Sequence, residues 1–290
     1  MTIRKIVAAV DASASSRRAA ERALSLARRL EAELMLVHVY DPGLSDEGTV
    51  LRTTERGQQR RRLAEKAMQV IVAQLGSPDV RTEVRVGGDI PGKICEVAQD
   101  RDADLLMVGT LGHTGVARFF LGSVAERVMR RAHCPVWVER PGGPEHHDVE
   151  RIVVCTDLSP LSEAGLALAS ALASDLEAAV ELVYALEPPY AGLSVDVRRE
   201  AIKSVRGELA ELAARHFTGT TPRLTIVEGA NVVDGITAHA SRTAPDLLVL
   251  STHGRTGLSR AFMGSVSERV ARFAPCSVLV ARSPVEVAAQ

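Results

Sequence analysis

The sequence predicts two tandem α/β domains, each a five-stranded parallel sheet flanked by helices. Short apolar runs alternate with segments of helical periodicity along the 290 residues, which is the pattern of a doubly wound sheet covered on both faces. The pattern is also duplicated, because KIVAAVDAS from Lys5 returns as RIVVCTDLS from Arg151. Each Rossmann-like half then has about 140 residues, an ordinary size for a domain.

The elements of the first half follow from apolar spacing and turn residues. In the first helix Ala20, Ala23 and Leu30 belong to an apolar stripe at helical spacing. The second half is expected to repeat the same order, with Ser159 capping its first helix and Pro160 at the first helical position. The predicted strands of the first half span residues 5–10, 33–40, 80–86, 104–109 and 135–139, and its predicted helices span residues 15–30, 54–75, 90–101 and 123–131.

The duplication sets the predicted domain boundaries. The halves align at an offset of 146 residues from Lys5 through the second strand, and at 142 residues from Gly87 onward, so the second half is shorter in its middle. Between them lies RPGGPEHHD, a stretch rich in turn formers and polar groups. We therefore expect domains at residues 1–140 and 151–290, joined by a linker at 141–150.

Composition and charge argue against several classes of protein. The net charge of -1 and a pI near 6.7 provide no basic field for nucleic acid. No apolar run reaches the roughly 18 residues that cross a bilayer, and no targeting segment precedes the first strand, so no membrane contact and a cytoplasmic location are expected. The cysteines lack CxxC spacing, which favours reduced, buried thiols, although the equivalent pair Cys134 and Cys276 leaves a disulfide open under oxidation.

A glycine-rich loop follows an apolar run in each half. In the first half Gly109, Gly112 and the pair Gly122-Ser123 form the pattern GxxGx9GS, which leads into a helical segment. Glycine lets the backbone turn sharply and approach a ligand, while the free N–H groups and dipole of the helix favour an anion. Such turns also occur in α/β folds that bind nothing, but the length and recurrence of this one favour a bound phosphate.

An aspartate follows the first strand of each half, at Asp11 and at Asp157. Ligands of doubly wound sheets bind at the carboxyl ends of the strands, where the strand order reverses. If the first and fourth strands are neighbours, each aspartate faces a glycine loop and could accept hydrogen bonds from a ribose or an adenine amine. That combination describes a nucleotide site, and a turn or helix-capping aspartate is the alternative.

These residues together resemble the universal stress protein family, in its tandem form with two domains in one chain. The resemblance rests on Asp11, on His38-Val39 at the end of the second strand, and on GxxGx9GS followed by VAERV, and it covers nearly the whole chain. It implies an adenine nucleotide alpha hydrolase-like version of the Rossmann fold. It also implies the ATP-binding branch of the family, of which this loop is the hallmark.

The resemblance implies that each half binds ATP, and it leaves open whether Mg²⁺ binds with the nucleotide. Asp11 would hold the ribose or adenine, Val39 would offer its backbone to adenine, and the glycine loop would wrap the phosphates. The implied contacts of the first site are Ala9, Val10, Asp11, Val39, Val108, Gly109, Gly112, Arg118, Gly122, Ser123, Val124 and Ala125. Those of the second are Cys155, Thr156, Asp157, Ala185, Leu250, Ser251, His253, Gly254, Arg260, Gly264, Ser265, Val266 and Ser267.

The second loop departs from the motif, because Ser251 replaces its first glycine. A Cβ there would strain the backbone if φ is positive, whereas the hydroxyl could instead donate to a phosphate oxygen. The equivalent Arg118 and Arg260 could reach phosphates, or they could be solvated surface residues. His113 and His253 occupy different motif positions, so we expect no catalytic role for either.

Three functional classes follow from these features. The leading hypothesis is an ATP-binding protein with a regulatory role in stress response or growth, acting on an unidentified protein partner. The loop is not GxxxxGK[ST] and contains no obvious general base, so slow or absent hydrolysis is expected. A weak ATPase or nucleotidyl-transfer enzyme, and a nucleotide-free partner-binding protein, are the alternatives. The resemblance also implies that the halves dock as an intramolecular pseudo-dimer, and a homodimer stays open.

Overall fold

A computed structural model describes residues 2–11, 13–41, 43, 55–110, 121–140, 148–186, 194–252 and 264–282. These residues fall into two compact units, one in each half of the chain. The predicted linker at 141–150 lies mostly outside the described residues, so its boundaries stay a prediction.

The first half alternates strands and helices as predicted. All neighbouring strands are parallel, in the order β3-β2-β1-β4-β5, and the apolar run of β4 is fully buried from Leu105 to Met107. Its strands are β1 (Lys5–Ala9), β2 (Glu33–Tyr40), β3 (Arg81–Val86), β4 (Leu105–Gly109) and β5 (Val136–Glu139), and its helices are α1 (Ala14–Arg29), α2 (Glu55–Leu75), α3 (Ile90–Asp100) and α4 (Ser123–Arg131).

The second half repeats this architecture. Its parallel sheet has the order β8-β7-β6-β9-β10, which is the order of the first half with equivalent strands in equivalent places. The fold class predicted for both halves is therefore confirmed. The strands are β6 (Arg151–Thr156), β7 (Ala179–Ala185), β8 (Arg223–Val227), β9 (Leu247–Ser251) and β10 (Ser277–Ala281), and the helices are α5 (Glu163–Leu176), α6 (Val195–His216), α7 (Val232–Thr243) and α8 (Ser265–Phe273).

The strand order places a switch point between the first and fourth strands of each half. In the first half β1 pairs with β2 on one side and with β4 on the other. The chain leaves β1 toward one face of the sheet and leaves β4 toward the other, which opens a crevice at their carboxyl ends. The condition for bringing Asp11 close to the glycine loop, that these two strands are neighbours, is thus met.

The first helices of the two halves begin differently. In the first half the Oγ of Ser13 accepts a hydrogen bond from the N–H of Ser16, and α1 starts directly after this cap. In the second half Ser159 caps as predicted, but it caps a short 3₁₀ turn at Pro160–Ser162, and α5 starts only at Glu163. The predicted cap was correct and the helix behind it was placed too early.

Two further expectations concern the membrane and the thiols. Within the described ranges no helix is both long and apolar enough to span a bilayer.

All four cysteines are free, and three of them, Cys134, Cys155 and Cys276, are buried, whereas Cys95 is half-buried on α3. The prediction of buried thiols is confirmed for those three and overstated the burial of Cys95, and their reduced state stays a prediction.

Candidate functional site

A pocket of about 390 Å³ lies at the carboxyl ends of β1, β2 and β4 in the first half. Its lining brings together ten residues that the sequence had singled out, namely Ala9, Val10, Asp11, Val39, Val108, Gly109, Gly122, Ser123, Val124 and Ala125. Gly112 and Arg118, from the same prediction, lie outside the described residues. Residues that were not predicted as ligand contacts also line it, among them Ser13, Ser16, His38, Tyr40, Ile90, Ile94 and Thr110.

The N-terminus of α4 forms one wall of this pocket. Gly122 is the N-cap residue, its backbone is extended, and having no side chain it provides no side-chain cap. The first bond within the helix runs from the N–H of Glu126 to the carbonyl of Gly122, at 3.0 Å. The N–H groups of Ser123, Val124 and Ala125 come before that bond, so they and the helix dipole are available to an anion in the pocket.

The glycine loop closes on itself at its base. The N–H of Gly122 donates to the carbonyl of Thr110 at 2.6 Å, which ties the end of the loop to the residue that follows β4. The hydroxyl of Thr110 is buried and has no hydrogen-bond partner within the described part of the chain. Because Thr110 lines the pocket, its hydroxyl is a candidate ligand contact that no glycine motif would have signalled.

Asp11 combines the two roles that the sequence left open. Its Oδ1 accepts a hydrogen bond from the N–H of Ser13 at 2.8 Å, and its own N–H donates to the Oγ of Ser16 at 2.5 Å. These are turn contacts that place the start of α1. Asp11 nevertheless lines the same pocket as the N-terminus of α4.

Gly109 is required by close packing at this site. A Cβ built on Gly109 would lie 2.9 Å from the carbonyl carbon and oxygen of Ser15 and 3.0 Å from the amide nitrogen of Ser16. All three atoms belong to the backbone of α1, so they cannot swing away as a flexible side chain could. The missing side chain at Gly109 lets the first turn of α1 pack onto the end of β4.

The end of β2 presents backbone groups to the same pocket. The carbonyl of Val37 accepts the N–H of Val10 at 2.8 Å, whereas the carbonyl of Tyr40 accepts the N–H of Gly87 at 3.1 Å. Backbone groups alternate in direction along a parallel strand, so the N–H and C=O of Val39 point toward β1, as those of Val37 do. The pairing of β1 with β2 ends at Ala9 and Val37, so Val39 lies beyond it.

The second half places its predicted residues at equivalent strand ends. The N–H of Gly264 donates to the carbonyl of Thr252 at 2.6 Å, as in the first loop, and Gly264 is the N-cap of α8. Asp157 accepts the N–H of Ser159 at 3.1 Å and its hydroxyl at 2.6 Å. Cys155 and Thr156 end β6, Ala185 ends β7, Leu250 and Ser251 end β9, and Ser265, Val266 and Ser267 begin α8, while His253, Gly254 and Arg260 lie outside the described residues.

Ser251 is accommodated by a change on the neighbouring helix. Its hydroxyl donates to the carbonyl of Ser162 at 3.0 Å and accepts the N–H of Gly165 at 3.1 Å. Ser251 ends β9 and is not among the left-handed residues of the described chain, so the conditional strain does not arise. The buried hydroxyl serves the start of α5, and the glycine that it needs there stands where α1 has Ala19.

Neither nucleophilic nor metal chemistry is assembled at the described strand ends. Burial, with Cys276 and Glu181 contributing, raises the pKa of the Cys155 thiol, which keeps it protonated and unreactive. Within the described ranges no group of three or more His, Cys, Asp or Glu side chains could hold a metal ion.

Comparison with known proteins gives one consistent family. The universal stress protein family profile matches residues 2–140 and again residues 148–282. A universal stress protein of Methanocaldococcus jannaschii is 37% identical over 140 residues, which cover 47% of this chain and 81% of that protein.

Solved structures agree with the sequence matches. That of a universal stress protein from Archaeoglobus fulgidus has a TM-score of 0.68 at 19% identity and covers 97% of both chains, which shows the shared fold. A universal stress protein solved in complex with cAMP aligns with 48% of this chain at 27% identity and a TM-score of 0.35. The two profile matches together span nearly all of the sequence, so the chain belongs to the universal stress protein family, with two copies of its domain in tandem.

Proposed function

We propose that the first half binds an adenine nucleotide, ATP in the leading form, and that the chain has a regulatory role in stress response or growth. One observation carries the proposal. A single pocket of about 390 Å³ joins a helix N-terminus that has no side-chain cap, a carboxylate, and the backbone of Val39, which pairs with no described residue of β1. The helix N-terminus suits phosphates, the carboxylate suits the hydroxyls of a ribose, and the strand backbone suits the edge of a purine. The volume of the pocket lies within the usual range for small-ligand sites.

The phosphate end is the N-terminus of α4. The N–H groups of Ser123, Val124 and Ala125 donate to phosphate oxygens, and the helix dipole adds a favourable field. The Thr110 hydroxyl, which is buried without a partner in the described chain, turns toward a phosphate oxygen when the nucleotide binds. The Ser123 hydroxyl lies at the same end and is the group suited to a Mg²⁺ ion carried in by the nucleotide.

The nucleoside end lies between β1 and β2. Asp11 accepts hydrogen bonds from the ribose hydroxyls, and Val39 offers one donor and one acceptor to the base. Adenine presents the matching pair, because its ring nitrogen N1 accepts and its exocyclic amine donates. Ile90 and Ile94 from α3 line the same pocket and provide apolar contact with the ring.

Hydrolysis is slow or absent in this proposal. A hydrolase must orient a water molecule, and the described lining includes only Asp11 and His38 as groups able to take a proton. In this proposal both lie at the nucleoside end of the pocket, away from the phosphates: Asp11 serves Ser13 and the ribose, and the Nδ1 of His38 donates to the carbonyl of Val10. A weak ATPase is the alternative, and phosphate release above background with Mg²⁺ would favour it.

The test is to purify the protein without added nucleotide, denature it, and quantify the released nucleotide per chain by mass-resolved chromatography. We expect adenine nucleotide, at up to one molecule per chain from the first half. Asp11→Ala and Gly122→Glu should abolish it, and the matched variants Asp157→Ala and Gly264→Glu should not. Protein that carries none, and that takes up none on titration with ATP, would refute the proposal and favour a partner-binding role.

A further inference from the structure

The pairing of β1 with β2 ends before the next backbone hydrogen bond that a parallel ladder would form. The strands pair from Lys5 with Glu33 to Ala9 with Val37, and the N–H of Val10 still donates to the carbonyl of Val37 at 2.8 Å. In a parallel ladder the next bond would join the N–H of Val39 to the carbonyl of Val10. The Nδ1 of His38 lies 2.7 Å from that carbonyl oxygen instead.

The chemistry of this contact fixes its direction. A carbonyl oxygen can only accept, so the Nδ1 of His38 carries the hydrogen and donates it to Val10. The imidazole therefore bonds to the same carbonyl oxygen that the ladder would offer to Val39. Both His38 and Val39 line the pocket, so the contact is part of its wall.

The second half shows the ladder without this interruption. There the pairing continues one residue further, to Thr156 with Tyr184. The N–H of Leu186 donates to the carbonyl of Val227, so Ala185, one residue before it, points toward β6. A pair at Thr156 consequently includes a hydrogen bond from the N–H of Ala185 to the carbonyl of Thr156. Ala185 is the equivalent of Val39, so in the second half this N–H is bonded within the sheet.

We propose that His38 is a positioning residue that ends the β1–β2 ladder early and keeps the N–H of Val39 open for the edge of a purine. The second half has Tyr184 at this place, and its longer ladder closes the same donor. The ligand class that follows is a purine whose ring edge has an acceptor beside a donor, as in adenine. This inference rests on the function proposed above for the first pocket.

The ladder itself can be tested without any ligand, by measuring amide hydrogen exchange of the full chain by NMR. We expect the N–H of Val39 to exchange at least about tenfold faster than that of Ala185. His38→Leu removes the competing donor and should slow exchange at Val39, whereas His38→Asn keeps a donor and should not. Equal protection of Val39 and Ala185 in the wild type, or no change in His38→Leu, would overturn the proposal.

Nucleotide selectivity provides the second measurement. Inosine triphosphate carries a donor at N1 and an acceptor at position 6, so it reverses the pattern that Val39 reads. The preference for ATP over inosine triphosphate should fall about tenfold in His38→Leu, the size of one lost hydrogen bond, and should persist in His38→Asn. Tyr184→Phe is the matched control in the second half and should leave the preference unchanged.

The outcomes separate the inference from the function on which it rests. If His38→Leu weakens both nucleotides equally, His38 supports the fold and the selectivity proposal fails. If the wild type binds neither nucleotide, the proposed function fails, while the exchange of Val39 still decides whether His38 ends the ladder.

Discussion

At the end of its fourth strand the first half has Gly109 packed beneath Ser15 of α1, whereas the second half has Ser251 bonded to Ser162 and Gly165. The first half thus has its glycine at the end of the strand, and the second half has its glycine on the helix. A Cβ on Gly165 would lie 2.7 Å from the Ser251 hydroxyl, just as a Cβ on Gly109 would meet the backbone of α1. Both solutions keep the helix close to the strand, but only the first leaves the junction free of a side chain.

The cores beneath these junctions differ as well. In the first half the Nε of Arg22 lies 3.5 Å from the Oε2 of Glu139, both side chains are about 2% exposed or less, and the indole N–H of Trp137 donates to the same oxygen at 2.9 Å. The equivalent positions of the second half hold Leu168, Leu279 and Ala281, all buried. One fold therefore tolerates a buried ion pair or an apolar cluster at one place.

These differences lie at the strand ends that carry the proposed site of the first half. The first half retains a glycine at the strand end, an interrupted β1–β2 ladder and an open pocket. In the second half a hydroxyl and a further ladder pair fill the corresponding places. We expect the first half to be the nucleotide-binding half and the second to act chiefly as its structural counterpart.

The largest expected effect comes from breaking the buried ion pair. Arg22→Leu removes the cation that lies 3.5 Å from the buried Glu139 carboxylate, and the unfolding free energy of the first half should fall by about 3 kcal/mol. Trp137 is the only tryptophan of the chain, so its fluorescence reports unfolding of this half specifically. Chemical denaturation followed at that signal measures the loss.

The main control variant copies the residues that the second half has at the equivalent positions. Arg22→Leu combined with Glu139→Ala reproduces Leu168 and Ala281, and it should recover part of the lost stability because both members of the buried ion pair are then removed together. Arg17→Leu removes an exposed ion pair with Glu21 on the same helix and should change stability by less than about 1 kcal/mol. A double variant that is less stable than Arg22→Leu alone would contradict this account of the core.

The elements that the sequence predicted well are those with local signals. The predicted strand at 33–40 coincides with β2, and the α4 start at Ser123 follows from the glycine before it. The role of His38 could not be read in the same way, although His38-Val39 was noted, because it depends on the register of β2 against β1. Arg22 gave no signal either, since a charged residue in a helix is usually solvated.

The reciprocal glycine substitution offers a smaller effect in the same half. Gly109→Ser introduces a Cβ against the backbone of Ser15 without the compensating glycine of α5, and should cost about 1–3 kcal/mol in unfolding free energy. Adding Ala19→Gly copies the second half and should restore part of the loss. Denaturation followed at Trp137 measures both variants, and a neutral Gly109→Ser would show that α1 can withdraw from β4 freely.

The smallest effect concerns acid stability, through Glu83 on β3. Burial alone would raise the pKa of Glu83, but hydrogen bonds from Arg101 and Arg85 outweigh it and hold that pKa below the ordinary carboxyl value. A lowered pKa in the folded state stabilises the protein above the unfolded value of about 4.3, and this contribution is lost as the pH falls through the folded pKa.

Glu83→Gln should therefore flatten the loss of first-half stability below about pH 4.3, by less than about 1 kcal/mol because both arginines are substantially exposed. Arg101→Gln removes one of the two donors, at 2.8 Å, and should give a smaller change of the same sign. The second half has Thr225 at the equivalent position, where its hydroxyl donates to Glu181. The stability of the wild type and of Glu83→Gln is measured against pH by the fluorescence of Trp137. If the two curves coincide, the contacts of Glu83 do not distinguish the halves.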